Sequence, residues 1–251
     1  MLVTLAALVL VIVAGLVQWR GDPGSGPGAG SVGGAPGSGL GAEPGATGSA
    51  RLALDGLEVR TEDRVPGYDR ESFAWREDVD RNGCDTRNDV LRRDLRDAEI
   101  RDGTRGCVVQ AGVLEDPYSG ERIRFDRSRD PEAVQIDHVV SLSDAWSSGA
   151  WRWDADYRAA FANDPLELVA ASGAENASKS DATADAWLPE DPRDACALVA
   201  RQVSVKVRTE LSVTRAERDA MARVLDGCAD APLVSSDDVR WPAPAQAGNS
   251  L

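Results

Sequence analysis

The chain has one histidine, His138, in 251 residues. That scarcity excludes a zinc peptidase of the His-Glu-x-x-His type, which needs two histidines on one helix face. No Gly-x-Ser-x-Gly elbow is present, so an α/β-hydrolase has no support. Cysteine is also sparse. Cys84, Cys107, Cys196 and Cys228 stand far apart with no Cys-x-x-Cys pair, which disfavours a zinc ribbon. Positive charge is in deficit: 28 Lys and Arg face 42 Asp and Glu, for a net charge of −14. Binding nucleic acid through charge alone is thereby disfavoured, because phosphates are neutralised by Lys and Arg. A nuclease is not excluded. A divalent cation can supply local positive charge, and arginines are dense between 87 and 129, at Arg92, Arg93, Arg96, Arg101, Arg105, Arg122, Arg124, Arg127 and Arg129. Such a chain would bind nucleic acid modestly, with strong salt dependence and low sequence specificity. An acidic surface also suits a solvated extracellular protein.

Residues 2–17 carry no charge at all. With Gln18 and Trp19 they make a helix about 27 Å long at 1.5 Å per residue, close to the thickness of a bilayer core. Residues 1–20 are therefore a membrane-directed segment, either a signal peptide or a transmembrane anchor. The absence of a basic lead and of a small-x-small cleavage site tilts the balance to an anchor. Residues 21–50, rich in Gly, Pro and Ser, read as a disordered linker. Residues 51–67 read as a lead-in whose Leu52, Leu54, Leu57 and Val59 pack on a domain edge. The folded domain is expected over 68–228, with a flexible tail over 229–251. Beyond a membrane-directed segment the surroundings are oxidising and disulfides persist. Of the three possible pairings, the local ones, Cys84–Cys107 and Cys196–Cys228, are favoured. The second would staple the two terminal helices. The chain is expected to be extracytoplasmic, either secreted or anchored by residues 2–19.

Within 68–228, Phe73 and Trp75 are early core candidates. Asp78-Val79-Asp80-Arg81-Asn82-Gly83 echoes a calcium loop, with Asp89 at the twelfth position. Such a loop normally closes with Glu, so a glycine turn plus a helix cap at Asp85 or Thr86 is the better reading. Residues 106–127 read as a hairpin. Ile123 and Phe125 alternate with Arg122 and Arg124, giving one apolar and one basic face. Ser141 or Ser143 caps a short helix, and residues 154–162 make another that brings Tyr157 and Phe161 to the core. Residues 192–209 carry Cys196, Val199, Val203 and Val207 at helical spacing. Thr214-Arg215-Ala216-Glu217 is a capping box that opens a last helix.

The chain is organised around Gln135-Ile136-Asp137-His138-Val139-Val140, a strand-like apolar run holding the lone histidine beside a carboxylate. Histidine is the usual proton carrier near neutral pH. Downstream, Asn163-Asp164-Pro165-Leu166-Glu167-Leu168 is a turn and strand, and Asn176-Ala177-Ser178-Lys179 lies on a polar helix. Asp-His-Val-Val, a strand, then Asn-x-x-Lys resembles the HNH endonucleases of the ββα-metal type. Gly83-Cys84-Asp85-Thr86-Arg87-Asn88-Asp89, Asp116-Pro117-Tyr118-Ser119-Gly120, Ser148-Gly149-Ala150-Trp151 and Trp187-Leu188-Pro189 resemble a secreted bacterial subgroup related to the C-terminal domain of GmrSD restriction enzymes.

That resemblance implies an α+β fold, with a ββα-metal core, a β-hairpin and several surrounding helices, stapled by disulfides. It implies a metal-dependent endonuclease acting on DNA as a monomer, with no protein partner evident. His138 would be the general base. Asp137 and Asn176 would bind Mg²⁺ or Mn²⁺, leaving most of the cation's shell to water and substrate. Lys179 would contact phosphate or lie in solvent, and Arg87 would face phosphate or make a surface salt bridge. Glu167 stands where the family usually has an asparagine that braces the histidine loop. It is read as a brace, as an extra metal ligand, or as a mark of weakened activity. The rival reading is a non-catalytic, metal-stabilised extracellular binding module.

Overall fold

A computed structural model describes residues 49–61, 64–228 and 231–241. The membrane-directed segment and the linker up to residue 48 lie outside it. Among the described residues, no helix is long and apolar enough to cross a membrane.

Among the described residues the fold is α+β, with three small sheets. Helix α1 (Ala50–Asp55) leads to strand β1 (Val59–Arg60). Helix α2 (Thr86–Asp94) runs directly into β2 (Leu95–Ile100), which is followed by β3 (Val109–Glu115), β4 (Arg122–Asp126) and β5 (Val134–His138). Helices α3 (Leu142–Ser148) and α4 (Ala155–Ala162) separate β5 from β6 (Leu168–Ser172). Helix α5 (Gly173–Lys179), α6 (Pro192–Arg208), β7 (Val213–Thr214) and α7 (Arg215–Asp226) complete the order. Strands β2, β3 and β4 form one antiparallel sheet, β5 pairs antiparallel with β6, and β1 pairs parallel with β7.

The caps follow local chemistry. Asp85 caps α2 by accepting from Asn88 N, Ser141 caps α3 by accepting from Asp144 N, and the capping box at Thr214 and Glu217 is formed. The expected hairpin is β3–β4, in which Phe125 is buried while Arg122 and Arg124 are exposed. Helix α2 stops at Asp94. Leu95 turns extended and pairs with Leu114, because its side chain is needed in the core beneath the sheet. Both disulfides are the local ones, Cys84–Cys107 and Cys196–Cys228. The second ties the start of α6 to the end of α7.

Packed structure begins before Tyr68. Ala50 and Leu54 are fully buried against α6 and α7 residues such as Val199, Val203 and Met221. Leu52 was expected on the domain edge with its neighbours, yet it is 73% exposed, because it falls on the opposite face of α1. Past Cys228, Val234 and Val239 pack on the central core, and the Arg93 guanidinium lies 5.3 Å from the Trp241 ring centre. The central core holds Phe73, Val139, Leu142, Phe161 and Leu211.

One buried polar cluster was not read from the sequence. Lys206 Nζ lies 2.6 Å from Asp144 and 2.8 Å from Glu217, and Arg60 Nη2 donates to Asp144 at 3.0 Å. It joins β1, α3, α6 and α7. Each group lies far from its partners along the chain, so no local pattern announces it.

Candidate active site

Strand β5 carries the β-branched Val134 and Ile136, and its register sets Asp137 opposite Val169 and His138 opposite Leu168. Strand β6 runs without a loop into α5, because Ser172 serves both as the last strand residue and as the helix cap, accepting from Ala174 N and Glu175 N. Gly173 permits the tight passage. A Cβ there would sit 2.2 Å from the Glu132 carbonyl oxygen, and Gly173 N donates to Ala133 O. Strand β6 and helix α5 are thus continuous, and β5 pairs with β6 across the intervening α3 and α4. The strand-like run does not continue past His138. Val139 N donates to the Glu167 carbonyl and Val140 N to Glu167 Oε1 at 3.2 Å, turning the chain into α3.

Asp137 and His138 are only 5% and 6% exposed. Asp137 Oδ2 accepts from the Tyr118 hydroxyl at 2.6 Å, and Oδ1 accepts from Lys179 Nζ at 3.0 Å. Burial pushes the Asp137 carboxyl up, against the Lys179 ammonium and the Tyr118 hydrogen bond, which favour the ionised form. His138 Nε2 lies 3.0 Å from the Ala162 carbonyl oxygen. A carbonyl can only accept, so Nε2 carries the proton and Nδ1 keeps the ring's lone pair. Burial lowers the His138 pKa to about 3, with Arg70 and Lys179 adding to the effect.

Lys179 was expected against a phosphate or in solvent. It is in neither place. Its ammonium is buried against Asp137 and also donates to the His138 carbonyl at 2.9 Å, tying the end of α5 to the end of β5. Glu167 is fully buried, with Oε1 accepting from Val140 N. Its Oε2 has no hydrogen-bond partner, and burial raises its pKa well above the ordinary carboxylate range. Arg87 was expected to face phosphate or make a surface salt bridge. Its Nη2 donates to the carbonyls of Pro131 and Val134, fastening the start of β5 to α2. Asn176 donates from Nδ2 to Gln135 Oε1 at 2.7 Å.

Two cavities meet at these residues. One of about 430 Å³ is lined by Tyr68, Arg70, Asp137, His138, Asn176 and Asp181. The other, of about 560 Å³, is lined by Arg70, Trp75, Arg76, Arg87, Gln135, His138 and Asn176. Arg70, His138 and Asn176 border both. Arg70 was missed in the sequence, since a lone arginine 68 positions before the histidine carries no local signal. The dense arginines supply less free charge than their number suggests. Arg93 donates to the carbonyls of Pro165 and Leu168, and Arg127 to Val109 O and Asn88. Among the described residues, no three His, Cys, Asp or Glu side chains converge on a point that would hold a metal ion.

A buried Asp-His pair ends β5, and the Asn176 amide is presented by the helix that follows its partner strand β6. The chain belongs to the family of the GmrSD restriction endonuclease C-terminal domain, whose model matches residues 85–224. The match spans Arg87, Asp137, His138, Glu167, Asn176 and Lys179, while Tyr68, Arg70, Trp75 and Arg76 of the cavity walls precede it. The chain is also 36% identical over 184 residues to an "Uncharacterized secreted protein" of Arthroderma benhamiae, covering 72% of this chain and 85% of that one. No solved structure matches. The family is a nuclease family, and the two disulfides agree with folding in an oxidising compartment, as the relative's name does.

Proposed function

We propose that the chain is a metal-dependent, extracytoplasmic endonuclease that hydrolyses phosphodiester bonds in DNA with low sequence specificity. One observation carries the reading: the buried Asp137–His138 pair and the Asn176 amide border one cleft that Arg70 also lines.

His138 acts as general base through Nδ1. Its Nε2–H is held by Ala162 O, which fixes the tautomer, and burial keeps the ring neutral at working pH. An entering phosphate brings negative charge that opposes the fields of Arg70 and Lys179. The ring then gains proton affinity when it needs it. A water gives its proton to Nδ1 as its oxygen attacks phosphorus, and the 3′ oxygen departs with the P–O bonding pair and takes a proton from solvent. Arg70 opposes charge building on the phosphoryl oxygens.

The donor chemistry fits a hard divalent cation. Asp137 offers carboxylate lone pairs beyond those used by Tyr118 and Lys179, and Asn176, with its nitrogen spent on Gln135, offers its carbonyl oxygen. Asp137 and Asn176 would hold Mg²⁺ or Mn²⁺, which supplies charge stabilisation to the phosphate and to the departing oxygen when bound. Glu167 serves as a brace, which supports an intact histidine loop despite the absence of the usual asparagine.

The test is plasmid nicking by the full chain with disulfides formed, as wild type and His138→Ala, in Mg²⁺, Mn²⁺ and EDTA. Metal-dependent nicking that disappears in His138→Ala is expected. An intact plasmid under every condition, with calorimetry still showing metal binding that Asp137→Ala removes, would replace this reading by the binding module.

A further inference from the structure

We infer that Gln135 and Glu132 are positioning residues that decide which atom of Asn176 faces the cleft. The inference rests on the reading of Asn176 as a metal ligand. Three side chains form a chain with one sense. Gln135 Nε2 donates to Glu132 Oε2 at 3.1 Å, and Gln135 Oε1 accepts from Asn176 Nδ2 at 2.7 Å. A carboxylate only accepts, so Glu132 compels Gln135 to turn its NH₂ outward and its carbonyl oxygen inward. That oxygen in turn compels Asn176 to spend its NH₂ on Gln135. The Asn176 carbonyl oxygen is what remains for a cation.

Without this chain an asparagine amide is ambivalent. A half-turn about its last bond would put two N–H donors where a cation needs an oxygen. Metal ligands of this kind depend on partners outside the coordination shell for their orientation. The backbone keeps the chain in register. Gly173, three residues before Asn176, lies so close to Glu132 that a Cβ would meet its carbonyl oxygen at 2.2 Å, and Gly173 N bonds to Ala133 O. The helix bearing Asn176 and the segment bearing Glu132 are thereby held as one piece.

The experiment is calorimetric Mn²⁺ binding by the full chain, in a double-mutant cycle. Glu132→Lys replaces the acceptor by a donor. Gln135 then presents its NH₂ to Asn176, which must answer with its carbonyl oxygen. Mn²⁺ affinity is expected to fall about ten- to a hundredfold, the range for partners of this kind. In an Asn176→Asp background either carboxylate oxygen can face the cleft, so Glu132→Lys should cost less than roughly threefold, the residue of its charge alone. Glu132 is exposed, and circular dichroism checks that each variant folds. An equal loss in both backgrounds would reduce Glu132 to a charge effect and overturn the relay. So would Mn²⁺ binding lost in Asn176→Ala yet kept in Glu132→Lys, which leaves the site reading standing. Unchanged binding in Asn176→Ala would overturn the site reading, and the relay with it.

Discussion

The Lys179 ammonium lies 3.0 Å from each oxygen of the Asp137 carboxylate, with both side chains almost wholly buried. The sequence has only two lysines, Lys179 and Lys206, and each is 1% exposed and pinned to carboxylates. Every other fixed side-chain cation is an arginine. A compact ammonium on a flexible stem fits a narrow buried pocket where a planar guanidinium does not. Removing the ammonium would strand a buried charge. Lys179→Met is therefore expected to cost about 3–5 kcal/mol of stability, read from urea midpoints at pH 7. A loss under about 1 kcal/mol would mean that Asp137 is protonated in the native state.

His138 gives a pH dependence. Its pKa is lowered in the folded chain to about 3, while the unfolded value is near 6.5. The unfolded state therefore binds the proton more tightly. The contribution of the neutral ring is fully present above about pH 6.5 and is lost as pH falls through the window toward about 3. At pH 5 wild type should have lost about 2 kcal/mol relative to a His138→Asn variant, each referenced to its own value at pH 7. Denaturant titrations at the two pH values measure this. Parallel losses in the two proteins would show that the ring is not held neutral.

Glu167 behaves in the opposite sense to an ordinary surface carboxylate. Its pKa is raised by burial, so holding it protonated costs stability once pH exceeds its unfolded value of about 4.5. Glu167→Gln keeps the acceptor for Val140 N and removes that cost. Its stability relative to wild type should rise between pH 5 and pH 8. Glu167→Ala leaves Val140 N without that acceptor and should be destabilised by about 1–3 kcal/mol or more. A Gln variant whose advantage does not grow with pH would show that Glu167 is ionised.

Gly173→Ala tests the hinge between β6 and α5. The added carbon would sit 2.2 Å from Glu132 O, so α5 must move off the Glu132 segment. A loss of about 1–3 kcal/mol is expected. Mn²⁺ binding should weaken with it, because Asn176 is carried away from Gln135. Wild-type thermal stability would show that the segment gives way freely.

The sequence by itself determined what local patterns can encode. Alternation of Ile123 and Phe125 with arginines marked a strand, and the spacing of Val199 and Val203 marked α6. Thr214 and Glu217 marked a capping box, because each of these signals comes from neighbours within a few residues. Asp137, His138 and Asn176 were legible as a motif, and the structure brings them to one cleft. The tertiary structure alone decided the environment of each. Whether a lysine reaches Asp137 or a phosphate depends on where the end of α5 falls relative to β5. That is a distance of 42 residues along the chain and of 3.0 Å in space. Arg70 reaches the cleft from 68 positions upstream of His138, and Arg87, Arg93 and Arg127 turned inward to backbone carbonyls rather than outward to a polyanion. Charge counts along a sequence do not reveal this, because a guanidinium is used by whichever acceptor the fold brings nearest.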